Sequence, residues 1–273
     1  FHPLRVLQRL SLFKRMASGR DARVQLMAAN VDILFIVTSC NQDFNLSRLE
    51  RYLAMALDAG VTPVVVITKV DLVESAEVYC REAEGLHPGL SVVPINARSE
   101  DALTALAPWS QRGKTIALVG SSGVGKSTLL NTLLGRQAQL TGEIREDDSK
   151  GRHVTTGRSL HLMPQGGLLL DTPGMRELQL ADCDDGINAT FSDIAAWAEQ
   201  CRFGDCQHDS EPGCAVQKAI CRGELDARRL SSFRKLTREQ AFNSATLAEK
   251  RARDKSFGKM VKAHVSEKRS REN

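Results

Sequence analysis

A chain of 273 residues and 30.0 kDa has room for one large domain and one small one. Its 42% hydrophobic and 26% charged residues are ordinary globular values and exclude a wholly disordered chain. The net charge of +4 hides an asymmetry: residues 222–273 hold 15 Lys and Arg against 7 Asp and Glu, and the remainder is net −4. An acidic body followed by a basic tail predicts an anionic partner for the tail. No apolar run reaches the ~18 residues of a membrane span, and no signal peptide is visible. Seven cysteines, an odd number, fit a reducing, cytoplasmic compartment. The chain opens on Phe1 without a methionine, which reads as a fragment or as a chain lacking ordered N-terminal residues.

In chain order, residues 31–40 (VDILFIVTSC) form a continuous apolar run of strand length. Leu46, Leu49, Leu53 and Leu57 repeat at helical spacing across residues 45–59, and Gly60 stops that helix. Val64 to Thr68 is a second buried strand, Val92 to Asn96 a weaker third, and Thr115 to Val119 a fourth. Lys126 to Leu134 begins a helix. Ser159 to Met163 and Leu168 to Leu170 pair around Gln165-Gly166-Gly167. Strands apolar on both faces and alternating with helices predict an α/β fold, a mostly parallel, doubly wound sheet. Beyond residue 180 the pattern turns helical, over 191–199 and from Ala215 to about Ala252, and it becomes increasingly basic.

Residues 120–128 (Gly120, Ser121, Ser122, Gly123, Val124, Gly125, Lys126, Ser127, Thr128) match G-x-x-x-x-G-K-[ST] in full, between a strand and a helix. Glycines let successive N–H groups turn inward on phosphate oxygens, and the helix N-terminus adds positive dipole. Lys126 would reach the β and γ phosphates, and Ser127 would ligate Mg²⁺. The loop alone does not separate GTP from ATP.

Thr68-Lys69-Val70-Asp71 closes the second strand and resembles the [NT]-K-x-D element with which GTPases read guanine. The Asp71 carboxylate would accept from guanine N1–H and its 2-amino group, donors that adenine lacks. Lys69 would lay its methylenes along the base. Thr68 stands where Asn is usual and predicts somewhat weaker guanine binding. Asn96 and Ala97, after the third strand, would supply a second base contact through the Ala97 N–H. Asp171-Thr172-Pro173-Gly174 resembles D-x-x-G: Asp171 would hold Mg²⁺ through water, and the Gly174 N–H would sense the γ-phosphate. The charged loop over 139–157 has the polarity of a switch, with Thr155, or its neighbour Thr156, completing the metal shell. In an ordinary GTPase the base-reading segment follows the phosphate loop. Here it precedes it by about 50 residues.

Cys201-x₄-Cys206-x-His208-x₅-Cys214 places three thiolates and one imidazole within 14 residues, the donor set of a closed, structural Zn²⁺ site. Cys221 is a competitor for Cys214, in a helical, basic context. So small a module has few apolar residues for a core, and zinc would supply much of its folding free energy. Arg222, Arg228, Arg229, Arg234, Lys235 and Arg238 would form a basic face suited to phosphates.

The motif order, the stretch Gly151-Arg152-His153-Val154-Thr155-Thr156, the Cys/His spacing and Asn45 to Leu53 (NLSRLERYL) together resemble the RsgA (YjeQ) family of circularly permuted, small-ribosomal-subunit-dependent GTPases. Val154 and Thr68 are departures from that family's pattern. The resemblance implies a monomeric cytoplasmic GTP hydrolase that needs GTP with Mg²⁺, carries zinc, and acts on the 30S subunit and its 16S rRNA. It implies an N-terminal oligonucleotide-binding (OB) barrel, of which residues 1–18 would be the exit, then a permuted GTPase domain over 19–180 and a zinc domain over 181–273. It also implies that His153 orients the attacking water, since Met175, just after D-x-x-G, cannot. Two other readings stand beside it. One is a zinc-dependent RNA-binding protein with negligible turnover, and the other is a small-molecule kinase, which Asp71 and Asp171 disfavour.

Overall fold

The computed structural model describes residues 4–5, 8–16, 24–135, 159–171 and 183–244. Two strands, β1 (Leu12–Met16) and β2 (Val24–Ala29), pair antiparallel in a small sheet of their own.

Among the described residues the main sheet holds six strands: β3 (Ile33–Ser39), β4 (Thr62–Thr68), β5 (Ser91–Pro94), β6 (Thr115–Val119), β7 (Ser159–Leu162) and β8 (Leu168–Asp171). Their spatial order is β5-β4-β3-β6-β8-β7. All neighbours are parallel except the β7–β8 hairpin. Every residue of β3 is buried, as a strand covered on both faces must be. The two-residue period divides its side chains: Leu34 and Ile36 join one core, and Ile33, Phe35 and Val37 the other.

Helix α1 (Leu46–Asp58) covers the first face. Its Asn45 cap accepts from the Arg48 N–H at 3.0 Å, and its leucine stripe faces the sheet. Helix α2 (Glu77–Glu84) lies on the same side, with Ala83 in that core. Helices α3 (Asp101–Leu106) and α4 (Lys126–Leu134) cover the other face.

Among the described residues, four helices follow residue 183: α5 (Asp184–Thr190), α6 (Ser192–Ala198), α7 (Ala215–Cys221) and α8 (Ala227–Ser244). Their apolar residues Ile187, Phe191, Val216 and Leu230 belong to the same core as Leu34 and Leu53 of the sheet and α1. Helix α1 is therefore shared between the sheet and the C-terminal helices.

A buried charge network reinforces that junction. Glu50 of α1 is fully buried and meets Arg228 and Arg229 of α8, each at 3.1 Å. Arg229 also donates to Asp193 and to the carbonyls of Leu86 and Thr190, and it lies 4.9 Å from the Phe191 ring centroid. These two arginines are spent on internal acceptors and leave the basic face expected of them. Removing one partner strands the other charge, at a cost of about 3–5 kcal/mol. Glu50→Ala is therefore expected to lower the Tm by roughly 10 °C in a thermal melt. A fall of under about 2 °C would mean that the network contributes little to the fold.

Candidate nucleotide and metal sites

Because β3, β4, β5, β6 and β8 run parallel, their C-terminal ends reach one sheet edge, the edge where α/β proteins bind ligands. Thr68, the segment beginning at Asn96, the loop from Gly120 and Asp171 all follow or close those strands. The structure thus brings together the expected base, phosphate and metal residues that it describes. His153, Thr155, Thr156 and Gly174 lie outside the described residues.

The loop is held close to the sheet. Gly120 has φ +145°, and a Cβ there would sit 2.2 Å from the Val37 carbonyl oxygen, so only glycine fits. Val124 is buried and anchors the loop's far side. The Lys126 Nζ folds back to donate to the Ser121 carbonyl. Ser127 and Thr128 open α4, both half-buried.

The base-reading segment is bonded to this loop directly. The Thr68 hydroxyl, fully buried, lies 2.6 Å from the Val124 carbonyl and 3.0 Å from the Thr38 carbonyl. In place of an amide, the threonine hydroxyl ties the end of β4 to the phosphate loop. Lys69 then turns left-handed, with φ 61°, and Asp71 sits exposed in the short 3-10 turn that follows. Asn96 accepts from the Arg98 N–H at 2.9 Å. The Thr132 hydroxyl of α4 donates to the Ala97 carbonyl at 2.7 Å, which seats the second base-contact segment on the phosphate-loop helix.

Cys201, Cys206, His208 and Cys214 converge, with their ligand atoms all within 4.8 Å of one another. The His208 Nδ1 lies 3.6 Å from both the Cys201 and Cys214 sulfurs, which are 3.9 Å apart. Zn–S bonds of ~2.3 Å at tetrahedral angles place two sulfurs a little under 4 Å apart, so the donors fit Zn²⁺. Cys221 is exposed and stands outside the cluster. The Ala215 N–H donates to the Cys201 sulfur and the Gln217 N–H to Cys214, each at 3.4 Å. Burial raises the Cys201 thiol, yet the N–H groups of Ala215 and Val216 and the thiols of Cys206 and Cys214 outweigh it and hold it below the usual value. Burial pushes the Cys206 thiol up to about 11. Burial, then the nearby Arg234, keeps the His208 imidazole below its ordinary pKa, and so neutral and ready to coordinate.

One supporting residue carries no signature in the sequence. The Glu211 carboxylate accepts from the N–H groups of Gln207 and Asp209 at 2.8 Å and of Ser210 at 3.1 Å. It shapes the loop that presents His208. Only the turn-forming composition around it could have hinted at this.

Sheet order, strand-end loop and Cys/His cluster define a phosphate-loop α/β protein followed by helices whose donors fit a metal ion. The chain matches the RsgA GTPase family over residues 6–181 and belongs to that family. It also matches an ABC transporter family over residues 109–257, a stretch that takes in the phosphate loop. The two matches overlap over residues 109–181, and strand β4 lies outside the second. The chain is 54% identical over 269 residues to "Small ribosomal subunit biogenesis GTPase RsgA 2" of Vibrio parahaemolyticus, covering 98% of this chain and 75% of that one. The crystal structure of YjeQ from Thermotoga maritima superposes with a TM-score of 0.62 at 27% identity, over 86% of this chain and 77% of that one. That of YloQ, a circularly permuted GTPase, gives 0.58 at 25% identity, over 89% and 84%. The fold is therefore that of a circularly permuted GTPase.

Proposed function

We propose that this chain hydrolyses GTP as a biogenesis factor of the small (30S) ribosomal subunit, and that GTP and GDP set how tightly it holds 16S rRNA. The single observation that carries the reading is the junction at α1. The phosphate-loop sheet and the metal-binding helices share one core and one buried charge network there, so a change at the nucleotide has a rigid path to the C-terminal module. The name borne by the Vibrio relative supports the choice of partner.

In this reading residues 1–18 lead into a GTPase domain over 19–180, and 181–273 form the zinc domain. Asp71, Lys69 and Thr68 read guanine with Asn96 and Ala97, and Gly120 to Thr128 hold the phosphates. Ser127, Asp171 and Thr155 are hard oxygen donors suited to Mg²⁺; Asp171 closes β8, and Ser127 lies in the first turn of α4, which follows the adjacent strand β6. When bound, Mg²⁺ would neutralise charge on the β and γ phosphates. His153 orients water, and the Gly174 N–H reports the γ-phosphate. Zn²⁺ on Cys201, Cys206, His208 and Cys214 is structural.

The RNA-facing surface is a cleft of about 440 Å³ between α7 and α8, lined by Arg234, Lys235 and Arg238. Lys235 and Arg238 are exposed, one turn apart, on α8. Arg234 is already engaged by Asp209 at 2.7 Å. The protein acts in this reading as a cytoplasmic monomer. No described helix is long and apolar enough to cross a membrane.

Co-sedimentation with 30S subunits tests the switch. A non-hydrolysable GTP analogue is expected to give at least about tenfold tighter binding than GDP. Equal affinities would contradict it, because a ligand without differential affinity shifts no equilibrium.

A further inference from the structure

The nucleotide-site residues named above account for one cation at the phosphate loop, Lys126. The structure holds a second. Arg48, in the first turn of α1, extends to the loop, and its Nη1 donates to the Ser121 side chain. The Lys126 ammonium donates to the carbonyl of the same residue. Two positive groups therefore converge on Ser121.

Neither the core nor a carboxylate explains the position of Arg48. It is half-buried, and it forms no ion pair among the described residues. Among the described residues the guanidinium's other hydrogen bond is a long one, 3.4 Å, to the Asp43 carbonyl. A guanidinium that meets no carboxylate among the described residues and reaches the phosphate loop gains an anionic partner when a polyphosphate occupies that loop. The stem of Arg48 is firmly placed, because its neighbours on α1 are bonded to α8: Ser47 to Ser232 at 2.6 Å, Glu50 to Arg228 and Arg229, and Arg51 to Glu239 at 2.6 Å. Since the phosphate-loop lysine reaches the β and γ phosphates, Ser121 marks that end of the polyphosphate.

We infer that Arg48 is a specificity-determining residue that gives the loop a second cation at its β/γ end and favours GTP over GDP. The inference rests on reading residues 120–128 as the nucleotide site. GTP carries the extra phosphoryl charge at this end, so loss of the guanidinium weakens GTP more than GDP. One charge-assisted contact corresponds to about tenfold in affinity.

The test is equilibrium binding of GTP and GDP, with Mg²⁺, to the full chain and its variants. Arg48→Gln is expected to weaken GTP about tenfold and GDP less than threefold, with an unchanged Tm. Arg48→Lys, which keeps the charge but not the planar fork, is expected to recover part of the preference. An unchanged GTP/GDP ratio in Arg48→Gln overturns the inference, and so does a loss that Arg48→Lys does not recover at all. If the wild-type chain bound neither nucleotide, or Lys126→Ala bound both normally, the reading of the site itself would fall instead.

Discussion

Lys126→Ala is expected to abolish measurable GTP binding while leaving the fold intact. The ammonium sits at the head of α4 and bends back over the loop to the Ser121 carbonyl. With nucleotide bound, it would exchange that neutral acceptor for charged phosphate oxygens. A hydrogen bond to a charged group contributes about 1.5–3 kcal/mol, and two such contacts give a loss of roughly 10²- to 10⁴-fold. The stability effect is small, because the side chain is only half-buried and its bond to the loop is replaceable by water. A fluorescent guanine nucleotide titration reads the affinity, and a thermal melt reads the fold. Affinity within threefold of wild type would mean that the loop does not hold the polyphosphate.

The second large effect is loss of the metal. Cys214→Ser is expected to reduce zinc from one per chain to none, as measured by elemental analysis. It should also lower the Tm by more than about 10 °C. Cys214 is buried, supplies one sulfur of the cluster and caps α7 through the Gln217 N–H. Structural zinc sites supply about 10 kcal/mol or more of apparent binding free energy at neutral pH, which here is folding free energy for the module. The damage would spread, since α5 and α8 share a core with α1. The sign of the pH effect is also fixed. In the metal-free protein the Cys206 thiol, pushed up to about 11, keeps its proton at neutral pH, and that proton must leave before zinc binds. Zinc affinity therefore rises with pH and falls in acid. A Cys214→Ser protein that kept its zinc and its Tm would show that the cluster is not a structural site.

The elements legible in the sequence are those whose own side chains carry the pattern. Helix α1 announces itself through Asn45 and the leucines at 46, 49, 53 and 57, and the structure places it at Leu46–Asp58. The runs at β3 and β4 are apolar because both faces are covered. The phosphate loop and the Cys/His cluster are readable because each is local, with chemistry set by spacing along a short stretch. Helix α2 is not readable, since it buries only Ala83 and has no stripe. Helix α5 contains Gly186, which argues against a helix. The structure explains it: a Cβ there would lie 2.0 Å from the Ala54 carbonyl of α1, so close packing of two helices demands glycine. The partnership of Glu50 with Arg228 and Arg229 joins residues nearly 180 positions apart, and no local pattern predicts it. That distance is also why Arg228 and Arg229 read as a basic face when they are an internal lock. Arg48 stays hidden for the same reason, because its partner Ser121 comes from a strand end 73 positions later.

The central claim is that a guanine-specific phosphate-loop site is joined to a module that docks on the small ribosomal subunit. The measurement that tests it most directly is the rate of phosphate release from GTP, and from ATP, with and without purified 30S subunits. Release from GTP alone is expected to be slow, to rise at least about tenfold with subunits, and to be negligible from ATP in either case. A GTP rate indifferent to subunits, or an ATP rate equal to the GTP rate, would contradict it.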